Sequence, residues 1–111
     1  MVENYASEIN KVVEKVNQIP DKKFSFVYAT DLHVDFKENQ KVVWPQCEAM
    51  VEIANRANVD CVILGGDLLH GISSKEDSLT YLREYTTIFN NAKIPTYVTR
   101  GNHDDNAYHN E

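Results

Sequence analysis

Aspartate, asparagine and histidine side chains follow three apolar segments of the chain, at the point where each segment ends. Asp31 and His33 follow the first segment, Asp67 the second, and Asn102, His103 and Asp104 the third. Carboxylate, amide and imidazole groups without a thiolate suit divalent cations such as manganese, iron or zinc. A pair of such cations bridged by a carboxylate can clamp the attacking and the leaving oxygen of a phosphoryl transfer. These residues therefore form a candidate metal site for phosphoester chemistry.

The three apolar segments have the composition of β-strands. Residues 24–30 are aromatic and β-branched, which favours a strand. Cys61–Leu64 is a short continuous apolar run, typical of a strand that is covered on both faces. Residues 96–99 follow Pro95 and are predicted to form the last strand.

Three helices are predicted between and before these strands. The first spans about residues 4–18 and ends before Pro20. The second is expected to begin near Pro45, because proline is accepted in a first turn. Its buried stripe is predicted to comprise Cys47, Met50, Val51, Ala54 and Ala57.

The third helix is predicted over about residues 75–91. Ser73 and Glu76, three residues apart, resemble a capping box at its start. The side chains predicted to share its buried side are those of Leu79, Leu82, Thr86 and Phe89.

Strands that are separated by single helices must run parallel, since a parallel pair needs a crossover connection. The sequence therefore predicts an α/β fold, a parallel βαβαβ unit with an extra N-terminal helix. Asp31 and Asp67 lie 36 residues apart, and Asp67 and Asn102 lie 35 apart, one strand-helix unit each. All three polar segments should meet at the carboxyl edge of the sheet, where open α/β folds bind their ligands.

Composition narrows the class of protein further. The 111 residues are 42% hydrophobic and 25% charged, as in soluble globular proteins, and the net charge of −6 offers no basic surface for a nucleic-acid backbone. The sequence contains no membrane-spanning run or signal peptide, so a cytoplasmic location is expected. Cys47 and Cys61 lie in apolar patterns without CxxC spacing and are predicted to be buried thiols.

Taken together, the motifs Asp31-x-His33, Gly66-Asp67 and Gly101-Asn102-His103-Asp104 resemble the first three motifs of the calcineurin-like metallophosphoesterases. The resemblance implies that residues 24–105 form the first half of an α/β/β/α sandwich. It also implies a later histidine and a Gly-His-x-His motif, which this sequence does not contain. The 1–111 chain is therefore expected to be a single incomplete domain, with its N-terminal helix within residues 1–20.

The resemblance further implies a role for each motif residue. Asp31 and His33 would bind the first of two divalent ions (manganese, iron or zinc), Asp67 would bridge the two, and Asn102 would bind the second. His103 would lie beside the phosphate as a catalytic residue, with Asp104 hydrogen-bonded to it. The nucleophile would be a hydroxide activated by both metals.

Because part of the ligand set is missing, weak metal binding and little or no activity are expected from the chain alone. One face of the sheet should also lack its cover, which self-association would supply. The expected substrate is a small phosphomonoester or phosphodiester, with long nucleic acids and membranes disfavoured. A surface position is favoured for His70 over one facing the site, Arg100 could equally meet a phosphate oxygen or be solvated or structural, and Asp105 and His109 are not expected to be ligands.

Two other interpretations compete with this one. A non-catalytic protein-interaction module on a metallophosphoesterase scaffold is the alternative, although such a scaffold has no need of His103. A nucleotide-binding doubly wound domain is excluded, because neither GxGxxG nor GxxxxGK[ST] occurs in the sequence.

Overall fold

The computed structural model describes residues 5–34 and 37–104 and, at positions 37 and 38, the backbone alone. Helices and strands alternate along the chain after a first helix. Their bounds are α1 Ala6–Asn17, β1 Phe26–Ala29, α2 Lys37–Arg56, β2 Cys61–Leu64, α3 Lys75–Phe89 and β3 Thr96–Val98. None of the described helices combines the length and apolar character that a membrane span requires.

The three strands form one parallel sheet in the order β1-β2-β3, as the sequence predicts. Tyr28 pairs with Ile63, and Ile63 pairs in turn with Tyr97, so all three strands are in register. This register brings the ends of the three strands to one edge. The α/β fold class and the parallel βαβαβ arrangement are therefore confirmed.

The main core lies between the sheet and the helices α2 and α3. On the sheet, Val62 and Leu64 are fully buried in this core. Four of the five residues predicted for the α2 stripe, namely Cys47, Val51, Ala54 and Ala57, are buried, and Met50 packs at the margin. Both cysteines are buried free thiols, as predicted, and burial raises the pKa of Cys47 to about 12.

The start of α2 was predicted wrongly. The helix begins at Lys37 and carries Pro45 in its interior. Proline inside a helix removes one backbone hydrogen bond and costs about 3 kcal/mol. Tertiary contacts offset that cost, because Val43 is buried in the core and Trp44 packs edge-on against Tyr85 with ring centroids 4.9 Å apart.

The cap of α3 and most of its buried side also differ from the prediction, although Phe89 is buried as predicted. Ser74, rather than Ser73, is the N-cap, and its hydroxyl accepts a hydrogen bond from the Asp77 N–H at 3.1 Å. The residues that this helix buries are Ser78, Tyr81, Tyr85, Ile88 and Phe89. The two tyrosine rings contribute more apolar surface than the leucines do, and they rotate the buried side away from Leu79.

Tyr85 joins α3 to the segment that follows β2. Its hydroxyl donates to the carbonyl of Leu68 at 2.7 Å, and the ring is only 4% exposed. Burial raises the pKa of this phenol above its ordinary value, so it acts as a neutral donor.

Tyr85→Phe is expected to lower the free energy of unfolding by about 0.5–1.5 kcal/mol, because the Leu68 carbonyl loses the hydrogen bond from the tyrosine and keeps only the one from the Val34 N–H. Urea unfolding followed by circular dichroism measures the change. Tyr81→Phe is the matched control, since Tyr81 lies buried on the same helix and its hydroxyl has no hydrogen bond among the described residues. Equal stability of the two variants would contradict a role for the Tyr85 hydrogen bond.

The opposite face of the sheet is exposed. Phe26, Tyr28 and Tyr97 are 50%, 58% and 60% exposed. The helix α1 packs against α2, where Ile9, Val13 and Ala49 form a small cluster of their own. The expected lack of cover is therefore observed, and self-association through this face stays a prediction.

Candidate metal centre

The segments that follow β1 and β2 run side by side beyond the sheet. The Asp31 N–H donates to the carbonyl of Gly66, and the His33 N–H donates to the carbonyl of Asp67, each at 3.0 Å. Val34 continues the pairing through a parallel bridge to Leu69. The first two polar segments are thus joined by backbone hydrogen bonds, which fixes their relative position.

Three of the predicted metal ligands have an unusual backbone conformation. The φ angles of Asp31, His33 and Asp67 are 57°, 50° and 50°, in the left-handed region. Such a conformation costs a residue other than glycine of order 1–3 kcal/mol, and it persists where surrounding contacts enforce it. Its repetition at Asp31, His33 and Asp67 shows that the fold holds these side chains in a defined arrangement at the expense of local strain.

The third segment approaches the second very closely. A Cβ atom built at Gly101 would collide with the carboxylate of Asp67, and one built at Gly66 would lie 2.9 Å from the backbone nitrogen of Gly101. Only glycine at both positions permits this approach. The segments after β2 and β3 are therefore in direct backbone contact, as convergence at one sheet edge predicts.

His33 lies between the two carboxylates. Its Nε2 atom is 3.5 Å from Oδ1 of Asp31 and 3.9 Å from Oδ2 of Asp67. The side chain of Asp67 is 15% exposed and that of Asp31 is 58% exposed. The centre therefore has an inner carboxylate at Asp67 and an outer one at Asp31.

Asp31 is stabilised in its charged form by its neighbours. The Thr30 hydroxyl donates to Oδ2 of Asp31 at 2.8 Å, and this bond, followed by the contact with His33, holds the pKa of the carboxyl below its ordinary value. A hydrogen bond to the ionised form favours that form. The Asp31 carboxyl therefore stays ionised to a lower pH than an ordinary aspartate does.

Thr30→Val is expected to raise the pKa of Asp31 towards its ordinary value, because the variant lacks the hydroxyl that donates to the carboxylate. The carboxylate would then protonate at a higher pH than in the wild type. A titration of the Asp31 carboxyl ¹³C shift measures this change. In Thr99→Val, which removes a hydroxyl that contacts the Leu64 carbonyl instead, the Asp31 titration should be unaltered. An unchanged Asp31 pKa in Thr30→Val would rule out this cause.

His103 is oriented differently from the prediction. Its Nδ1 atom lies 2.8 Å from the backbone carbonyl oxygen of His70, and its backbone N–H donates to Oδ1 of Asp67 at 2.9 Å. The ring meets that of His33 edge-on, with centroids 4.8 Å apart. The predicted hydrogen bond from the His103 ring to Asp104 is absent, because the His70 carbonyl occupies the position of that acceptor.

The carboxylate of Asp104 instead joins the second and third segments. Its Oδ2 atom accepts from the N–H groups of Asp67 and Gly101, and its Oδ1 atom accepts from that of Leu69, all at 2.9 Å. Hydrogen bonds to an ionised acceptor are about twice as strong as neutral ones. Asp104 therefore holds the backbone at Asp67 in place.

The remaining candidates are placed as follows. Asn102 is exposed at the start of a helical turn at 102–104, and its side chain forms no hydrogen bond with the described part of the chain. Asp105 and His109 lie outside the described residues. His70, for which a surface position was favoured, lies beside the centre with its ring parallel to that of His103, at a centroid distance of 5.8 Å. Its place three residues after Asp67 is the sequence signal that could have identified it.

The donor set fits a divalent cation. His33, Asp67 and His103 can each offer a ligand atom, and these atoms lie within 4.8 Å of one another. Two imidazoles and a carboxylate, all partly buried, match the preference of zinc, iron or manganese. This group includes His103, which was predicted as a catalytic residue rather than as a ligand.

Comparison with known proteins agrees with this geometry. A family model described as calcineurin-like phosphoesterase matches residues 24–111, which include all three motifs. Neither the search of curated proteins nor the search of solved structures found a significant match. The chain therefore belongs to the calcineurin-like phosphoesterases, a family of metal-dependent phosphoester hydrolases, and its parallel α/β unit has the architecture of the first half of their fold.

Proposed function

We propose that the protein hydrolyses a small phosphomonoester or phosphodiester with two divalent cations held at the carboxyl edge of its sheet. The observation that carries the proposal is the position of Asp67. Its carboxylate lies next to the Nε2 atom of His33 and accepts from the backbone of His103. One inner carboxylate thus connects the segments after all three strands, which is the position a bridging ligand requires.

We assign each proposed ligand to one of the two cations according to the strand that the ligand follows along the chain. Asp31 and His33 would hold the first cation, Asn102 the second, and Asp67 both. Divalent cations supply positive charge that stabilises phosphoryl oxygens and makes water acidic enough to attack near neutral pH. The lowered pKa of Asp31 supports this assignment, because the carboxylate stays charged over a wider pH range.

His103 has one ring nitrogen free for the substrate. A backbone carbonyl can only accept, so the Nδ1 atom that lies against the His70 carbonyl must carry a proton. Its Nε2 atom is then available to meet a phosphate oxygen and, when protonated, to donate to the leaving oxygen. This contact supports the assignment of His103 as the catalytic residue.

The test is hydrolysis of p-nitrophenyl phosphate and of its bis-ester by the longest protein that the reading frame encodes. With added manganese we expect turnover of at least one of the two, and removal of the metal with EDTA should abolish it because the residues alone supply no comparable positive charge. Hydrolysis that continues at the same rate after EDTA treatment, and that added manganese does not increase, would contradict the proposal. The ratio of the two rates separates a monoesterase from a diesterase.

A further inference from the structure

We propose that His70 is a positioning residue that sets the tautomers of both neighbouring histidines, through its ring for His33 and through its backbone carbonyl for His103. The inference rests on the proposed function in one respect, namely that a cation binds Nε2 of His33. Each contact involves a different atom of His70, so the two effects can be separated by substitution.

The first contact joins two ring nitrogens. Nδ1 of His33 lies 3.1 Å from Nδ1 of His70, a distance that requires a proton on one of the two atoms. The other nitrogen of His33, Nε2, faces the carboxylates of Asp31 and Asp67 at 3.5 and 3.9 Å. A cation bound there needs the lone pair of Nε2, so the proton of His33 must lie on Nδ1. His33 therefore donates and His70 accepts.

The second contact has only one possible direction. Nδ1 of His103 lies 2.8 Å from the carbonyl oxygen of His70, and a carbonyl cannot donate. His103 therefore also carries its proton on Nδ1. In His33 the lone pair of Nε2 is then available to a cation, and in His103 Nε2 is the only ring nitrogen left to take up and give the proton for a leaving oxygen.

Residue 70 is well placed to do this because its backbone is fixed. Its backbone N–H donates to the carbonyl of Val34 at 3.1 Å. Val34 directly follows His33, and it pairs with Leu69, which directly precedes His70. The carbonyl of His33 in turn accepts from the side-chain amide of Asn39 at 3.0 Å. The two rings are thus held by short connections to the same paired backbone.

A direct role of His70 as a metal ligand agrees less well with the geometry. Its Nδ1 atom is directed at His33, and His70 is not part of the ligand group formed by His33, Asp67 and His103 among the described residues. Metal-binding histidines usually donate their second ring N–H to an acceptor that orients them, and loss of that acceptor typically lowers metal affinity about 10- to 100-fold. Here the acceptor would be another imidazole.

The test combines NMR of ¹⁵N-histidine-labelled protein with zinc titration, in the wild type and in two variants. In the zinc-loaded wild type we expect a scalar coupling across the hydrogen bond between the two Nδ1 atoms, with the proton on His33. His70→Leu should abolish the coupling and weaken zinc binding about 10- to 100-fold. His70→Asn places an amide oxygen near the position of Nδ1 and should restore much of the affinity.

His103 is the internal control. Its partner is the backbone carbonyl of residue 70, so it should keep its Nδ1 proton in both variants, which also reports that the local fold is intact. Wild-type zinc affinity in His70→Leu, or a proton located on Nδ1 of His70 in the zinc-loaded wild type, would overturn the proposal. The test involves no turnover, so it is separate from the hydrolysis assay. Should the wild type bind neither zinc nor manganese, the assignment of a cation to His33 fails, and the coupling measured without metal still decides whether the two rings share a proton.

Discussion

Asp67→Asn is expected to lower kcat/KM for a phosphoester substrate by about 10³-fold or more, which corresponds to roughly 4 kcal/mol of transition-state stabilisation. The reason lies in how the two carboxylate oxygens are used. Oδ1 accepts from the backbone N–H of His103, and Oδ2 faces Nε2 of His33. An asparagine that keeps the first hydrogen bond must direct its NH₂ group at the proposed cation position. The variant therefore loses a charge and presents hydrogen atoms in place of a ligand.

The same argument predicts that the fold survives this change, because the hydrogen bond to His103 is retained. Zinc or manganese titration should show weaker binding, while the urea midpoint stays close to that of the wild type. Asp60→Asn is the matched control, since that exposed carboxylate accepts from the Ser25 N–H at 2.8 Å and lies at the opposite end of β2. Full activity of Asp67→Asn in the presence of metal would refute the bridging role.

Periodicity and composition predict the order of the elements and the edge where the polar segments meet. The bounds of β2 follow directly from the sequence, because the short continuous apolar run Cys61–Leu64 coincides with the strand. The start of α2 does not, because Pro45 is a strong local stop signal that only the tertiary contacts of Val43 and Trp44 override. Local signals are reliable where packing agrees with them and mislead where packing opposes them.

The types of the site residues could be predicted, but their orientations could not. Convergence of Asp31, Asp67 and His103 follows from the parallel topology alone. The acceptor of the His103 ring does not, because it is the carbonyl of His70, and a sequence carries no signal for one particular backbone group. The same holds for Asp104, whose partners are three backbone N–H groups on two different segments.

Asp104→Ala is expected to lower the free energy of unfolding by about 3–5 kcal/mol, because each hydrogen bond to a charged group contributes about 1.5–3 kcal/mol and the contributions are not fully additive. The variant leaves the N–H groups of Asp67, Leu69 and Gly101 without their acceptor. The strained backbone at Asp67 then loses one of the contacts that enforce it. Urea unfolding measures the loss, with Asp60→Ala as the control because its single exposed bond should be worth about 1 kcal/mol or less.

Asp104→Asn separates the two oxygens of this carboxylate. Oδ2 accepts two of the hydrogen bonds and Oδ1 accepts one, so an amide oriented with its oxygen at Oδ2 keeps the bonds to Asp67 and Gly101 and loses the one to Leu69. Its stability should therefore lie between those of the wild type and Asp104→Ala. Equal stability of Asp104→Ala and Asp60→Ala would contradict this role of Asp104. The close contact between Gly66 and Gly101 would then be enough to join the segments after β2 and β3. The loss in metal affinity should follow the same order as the loss in stability, because the backbone that Asp104 holds is the one that carries Asp67.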